Sequence, residues 1–79
     1  MNEIKLKQTF ADSIGIPLDQ VTDALTYQSI SQWDSVAHMA LVAAIEGTFN
    51  VMLDTDDIIA LSSVAKAKEI LARHKIDFK

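Results

Sequence analysis

The chain opens on a regular apolar rhythm. Leu6, Phe10 and Ile14 recur at four-residue steps, which predicts a helix over residues 3–14 with one apolar stripe. Gly15 follows at once and Pro17 two residues later; glycine suits a helix stop, and proline cannot extend the helix. A second rhythm begins after Asp34. His38, Leu41, Val42, Ile45 and Phe49 share one face of a helix over residues 35–49, with Asp34 as its N-terminal cap and Asn50 as its end. A short third helix is predicted over residues 55–60. Asp56 and Asp57 suit the positive end of its dipole, and Ile58 and Ile59 are expected to turn inward or towards neighbouring helices. A fourth covers residues 64–74. Ser63 is its expected cap, and Val64, Ala67, Ile70 and Leu71 form its buried stripe. Arg73 and His74 suit its negative end. The tail, residues 75–79, is expected to fray.

Residues 16–34 keep no period. Ile16, Val21, Leu25, Tyr27 and Ile30 stand singly there and are expected to pin the segment onto the core, with room for a short helical turn within residues 19–25. So long a connection in so short a chain points to function. The chain has two Gly, one Pro and no Asn-Gly or Asp-Gly pair, which argues against hairpins. The predicted fold class is all-α: a small four-helix bundle of three longer helices and one short third helix, with a long loop between the first two.

Composition narrows the function. At 79 residues the chain is expected to form a single domain, residues 1–79. Surface chemistry is easier on such a scaffold than a deep active site. With no cysteine, disulfides and thiolate metal sites are excluded. Eleven acidic against seven basic residues give a net charge of −4, which disfavours nucleic acid and anionic lipid and favours basic partner surfaces. Met1 to Phe10 alternates charged with apolar residues, unlike a signal peptide, and no apolar run approaches membrane-spanning length. A cytoplasmic monomer without membrane insertion is the expectation.

Ser35 is the residue that invites chemistry. The unpaired N–H groups and dipole at a helix start favour a phosphate there, although serine is also a common helix-start residue with no further role. His38 lies one turn on, but no third orienting group or oxyanion hole is evident. Its inward angle reads as a partly buried, hydrogen-bonded histidine rather than a catalytic base. Trp33 reads as a loop anchor packed on the core. Asp54, Asp56 and Asp57 suggest calcium, but the required glycine and final glutamate are missing, so they read as a solvated acidic helix start. Lys5, Lys7, Lys66 and Lys68 read as exposed helix positions. No catalytic residue and no metal ligand is assigned, and no enzyme activity is expected.

Asp34-Ser35-Val36 resembles the Asp-Ser-Leu attachment motif of the acyl carrier protein family, with valine for leucine. Leu41, Val42, Ile45, Glu46 and Phe49 are similar to that family's second helix. Ile14-Gly15-Ile16, Val21-Thr22 and Leu61-Ser62-Ser63-Val64 resemble the end of its first helix, the start of its long loop and the approach to its last helix. The resemblance spans about Leu6 to Leu71. It implies 4'-phosphopantetheine on Ser35, with Asp34 helping to position the transferase, and an acyl or aminoacyl group held as a thioester on the arm. The implied partners are a phosphopantetheinyl transferase, a loading ligase and downstream acyl-transfer enzymes. Trp33-Asp34-Ser35 followed by His38 looks like stand-alone carriers of one specialised pathway rather than a general fatty-acid carrier.

In the family the outward face of the second helix usually bears acids. Here it reads Val36, Ala37, Ala40, Ala43, Ala44 and Gly47, with Glu46 the only acid on the helix. Docking on Val36, Ala37, Ala40, Ala44 and Gly47 is therefore expected to rely on close apolar packing. His38, Met39, Ile58 and Ile59 are candidate contacts for the arm or its cargo. The alternative reading is an unmodified helical protein–protein interaction module that docks through the same face.

Overall fold

The computed structural model describes residues 2–76 and 78. Its helices are α1 (Asn2–Ile14), α2 (Ser35–Phe49), α3 (Thr55–Ala60) and α4 (Val64–Arg73), with a 3₁₀ turn at Leu18–Gln20 between α1 and α2. No strand is formed among the described residues; one isolated bridge joins Thr26 to Ser63. The protein is a small all-α bundle.

Local chemistry sets the helix ends. Gly15 sits at φ +80°, a conformation glycine adopts without a Cβ clash, and Ile16 N–H returns to Ala11 O to close α1. The caps of α2, α3 and α4 are Asp34, Asp54 and Ser63. Each side chain accepts from a backbone N–H three residues on, namely Ala37, Asp57 and Lys66. Asn50 ends α2 in the left-handed region at φ 54°. Glu46 then reaches across the turn, where its Oε2 accepts from Leu53 N–H at 2.8 Å. The one acid of α2 is thus spent inside the fold.

The core is one cluster. Leu6, Phe10, Ala11 and Ile14 of α1 meet Leu41, Val42, Ile45 and Phe49 of α2, and Val64, Ala67, Ile70 and Leu71 of α4 close over them. A fully buried side chain of this size contributes roughly 1.5–3 kcal/mol, so the stripes read from spacing hold the bundle together.

Several expectations change. Helix α1 starts one residue earlier than predicted, and α4 ends at Arg73 because His74 is its cap. The helical turn expected within residues 19–25 lies at Leu18–Gln20, directly after Pro17. Ile59 does not turn inward; it is 74% exposed, and Asp57 is buried instead. The acidic start of α3 is therefore not a simple solvated one. Lys68 is half-buried, because its Nζ meets Asp23 at 2.8 Å and Glu3 at 3.4 Å. Lys7 is also half-buried and pairs with Glu3. In the tail, Ile76 N–H bonds to Leu71 O, and Phe78 packs against Phe49 at 6.2 Å between ring centres. Those two residues are held rather than frayed; Asp77 and Lys79 lie outside the described residues.

Candidate functional site

The long loop is irregular but tied at every stage. Ile16, Val21, Leu25 and Trp33 are buried, and Tyr27 and Ile30 pack against the core. Tyr27 N–H donates to Ser62 O, and Val64 N–H donates to Leu25 O, so the loop is stitched to the start of α4. Nearer the helix, Gln28 N–H donates to Trp33 O and Trp33 N–H to Ile30 O. Gln28 sits at φ 63°, an uncommon backbone region for a residue with a Cβ, and the surrounding bonds hold it there. Trp33 is completely buried, edge-on to Phe10 at 5.3 Å and to Tyr27 at 6.0 Å. The loop anchor expected from sequence is thus in place, and it fixes the direction in which the chain enters α2.

Asp34 and Ser35 follow from that anchor. Asp34 is extended (φ −97°, ψ −174°), and its Oδ1 accepts from Ala37 N–H at 2.8 Å. Ser35 is the first helical residue. It is exposed, and among the described residues its hydroxyl has no hydrogen-bond partner. The N–H groups of Ser35 and Val36 have no acceptor within the helix, as at any helix start. A phosphate on the Ser35 oxygen would face the positive end of a 15-residue helix. From Gln8 to Ala65 the sequence has no Lys or Arg. Within this long stretch of chain, the helix end is thus the positive feature next to the hydroxyl.

His38 is not paired with Ser35. Its Nδ1 accepts from Trp33 Nε1–H at 3.1 Å, and its Nε2 lies 3.0 Å from Ile58 O. Both nitrogens are used in holding the fold, which leaves none to act as base for the serine.

The other candidates separate by exposure. Val36 is 79% and Met39 56% exposed; Ala40, Ala43 and Gly47 are exposed, and Ala37 and Ala44 are half-buried. With Glu46 turned onto Leu53, the open face of α2 carries uncharged groups, most of them small, with Val36 and Met39 the larger exposed side chains. Ile58 packs against the core while Ile59 stays outside. A cavity of about 430 Å³ does exist beside α3, but Ala60, Lys66, Glu69, Ala72 and Arg73 line it, not Met39, Ile58 or Ile59.

Asp57 was missed as a structural residue. It is 9% exposed, with Oδ2 at 3.0 Å from His74 Nε2 and Oδ1 at 3.6 Å from Arg73. The hydrogen bond from His74 holds its carboxyl below the ordinary 3.8, against the opposing effect of burial. Its spacing to His74 in sequence gave no signal of the pair.

An exposed serine, without a hydrogen-bond partner among the described residues, stands at a capped helix end after an anchored loop on a small helical bundle, an arrangement that suits a carrier-type domain. Comparison with known proteins agrees. The family model described as the phosphopantetheine attachment site matches residues 5–71. The chain belongs to the phosphopantetheine-binding acyl carrier protein family, whose members are carriers rather than enzymes, and its prosthetic group is 4'-phosphopantetheine. An acyl carrier protein of Lactobacillus johnsonii is 28% identical over 71 residues, which is 90% of this chain and 89% of that protein. No helix among the described residues is long and apolar enough to cross a membrane.

Proposed function

We propose that the chain, as one domain over residues 1–79, carries an acyl or aminoacyl group on a phosphopantetheine arm attached to Ser35. The observation that carries this is the exposed Ser35 hydroxyl, without a hydrogen-bond partner among the described residues, in the first turn of α2 where helix N–H groups are unpaired. The arm brings the terminal thiol that this cysteine-free chain does not supply. Asp34 keeps the first turn of α2 formed through its bond to Ala37, which fixes the backbone that carries the serine. The lack of Lys and Arg from Gln8 to Ala65 leaves a transferase to supply the cations that meet the phosphates of coenzyme A.

The chain itself performs no chemistry in this reading. Loading by a ligase and removal by acyl-transfer enzymes take place on docked partners. Those partners pack on Val36, Ala37, Ala40, Ala44 and Gly47, where side chains are small enough for close approach. Met39, Ile58, Ile59 and the ring of His38 flank the arm or its cargo. The protein works as a cytoplasmic monomer, in a specialised pathway rather than general fatty-acid synthesis.

Intact-mass measurement tests the attachment. With coenzyme A and a phosphopantetheinyl transferase, the wild-type chain gains one arm and Ser35→Ala gains none. A wild-type mass unchanged with a transferase that loads other carriers supports the unmodified interaction module instead.

A further inference from the structure

His38 stands one turn after Ser35 on α2 and reaches two other parts of the fold. An indole N–H only donates, so Nδ1, 3.1 Å from Trp33 Nε1, is bare. A carbonyl oxygen only accepts, so the ring's one proton is on Nε2, directed to Ile58 O at 3.0 Å. The two partners independently require the same neutral tautomer. Ile58 O is one of the carbonyls that the short helix α3 cannot satisfy internally. Asp57 O takes Leu61 N–H, Ala60 O takes Ser62 N–H, and Ile58 O takes the imidazole. A six-residue helix is too short to persist alone, so this contact is part of what keeps α3 in place. Tyr27 lies against the imidazole at 4.9 Å, and Trp33 continues to Phe10 of α1. A connected path thus runs from α1 through Trp33 and His38 to α3, passing one turn from the attachment serine.

We propose that His38 is a positioning residue for arm attachment: as a neutral bridge from Trp33 Nε1 to Ile58 O, it holds the Asp34-Ser35 corner and α3 as one rigid docking surface for the transferase. The proposal rests on the carrier reading above. A surface already ordered loses less freedom when a partner docks. Removing the bridge therefore raises the KM for this chain and leaves the chemical step, which belongs to the transferase, nearly unchanged. His38→Phe keeps a ring and removes both bonds. His38→Gln restores one acceptor and one donor on a side chain of similar reach.

The test joins two measurements on the full chain. Nitrogen NMR of the isotope-labelled, unmodified protein is expected to place the His38 proton on Nε2 and to show a slowly exchanging Trp33 indole N–H. Transferase kinetics with coenzyme A are expected to show KM raised about tenfold in His38→Phe with kcat within about twofold, and most of the loss recovered in His38→Gln. A proton on Nδ1, or a folded His38→Phe with wild-type KM, overturns the proposal. If His38→Phe does not fold, the wild-type tautomer and His38→Gln decide: Nε2–H with near-wild-type KM upholds the bridge, and Nδ1–H removes it. A wild-type chain that is never loaded sinks the carrier reading instead, and the tautomer still judges the bridge.

Discussion

At Ser35 the useful property is that the residue does nothing structural. Its hydroxyl is exposed and has no partner among the described residues, so Ser35→Ala is expected to change unfolding free energy by no more than about 0.5 kcal/mol in urea titration while abolishing arm attachment. Asp34 is the opposite case. Its carboxylate satisfies Ala37 N–H, and Asp34→Ala is expected to cost about 1 kcal/mol of stability in the same titration. Asp57 introduces a pH dependence. His74, and more weakly Arg73, hold its carboxyl below the ordinary 3.8. A depressed carboxyl contributes stability that is fully present above the unfolded value and is lost as pH falls through the folded one. Urea titrations at stepped pH should therefore show stability falling below pH 3.8, with a shallower fall in Asp57→Asn. An unchanged slope in that variant would show that the Asp57 pair contributes little.

At the scale of elements, α2 and α3 behave differently. Helix α2 is long, capped at both ends and buried along Leu41, Val42, Ile45 and Phe49, all of which follow from spacing and end chemistry. Its open face lacks charge, and Glu46 is turned onto Leu53 N–H. Partner affinity through this face is expected to change less than about threefold when salt rises several-fold, because apolar packing is not screened. Val36→Asp is expected to weaken the same binding about tenfold by placing a charge in the contact. A steep salt dependence would count against apolar docking. Helix α3 is short and depends on others: Asp54 caps it, His38 takes Ile58 O, and His74 meets Asp57. This is where sequence reading failed. Periodicity and capping are local signals, and they found the helix bounds within a residue; the anchor role of Trp33 came from residue type. The partners of His38 and Asp57 lie 20 and 17 residues away, and no local pattern encodes them. The inward position assigned to Ile59 failed for another reason: a six-residue helix has too few residues to define a face, and Asp57 took the buried side.

For the whole molecule, two devices hold the loop that delivers Ser35. One is burial of Trp33, wedged between Phe10 and Tyr27. Trp33→Ala is expected to cost about 3–5 kcal/mol, a large share of the roughly 5–15 kcal/mol that a domain of this kind has in total. The other is Lys68, whose ammonium joins Asp23 of the loop and Glu3 of α1 to α4. The hydrogen bond to Asp23 raises its pKa above the ordinary 10.5, so its contribution is complete below that value and is lost as pH rises through the folded value. Thermal melts above pH 10.5 should fall more steeply in the wild type than in Lys68→Met. The order of helices and the buried stripes were legible because each follows from short spacings, and the family was legible from a motif. The Lys68 network was not, since it joins three segments distant in sequence and each residue reads alone as a solvated charge.

The most direct measurement is peptide mapping of the native protein, purified from a cell that makes pantetheine arms. The account predicts that the peptide containing Ser35 carries one phosphopantetheine group, free or loaded, in a substantial fraction of molecules. That peptide recovered always bare, or the group found on another hydroxyl such as Ser29, Ser31 or Ser62, would contradict it.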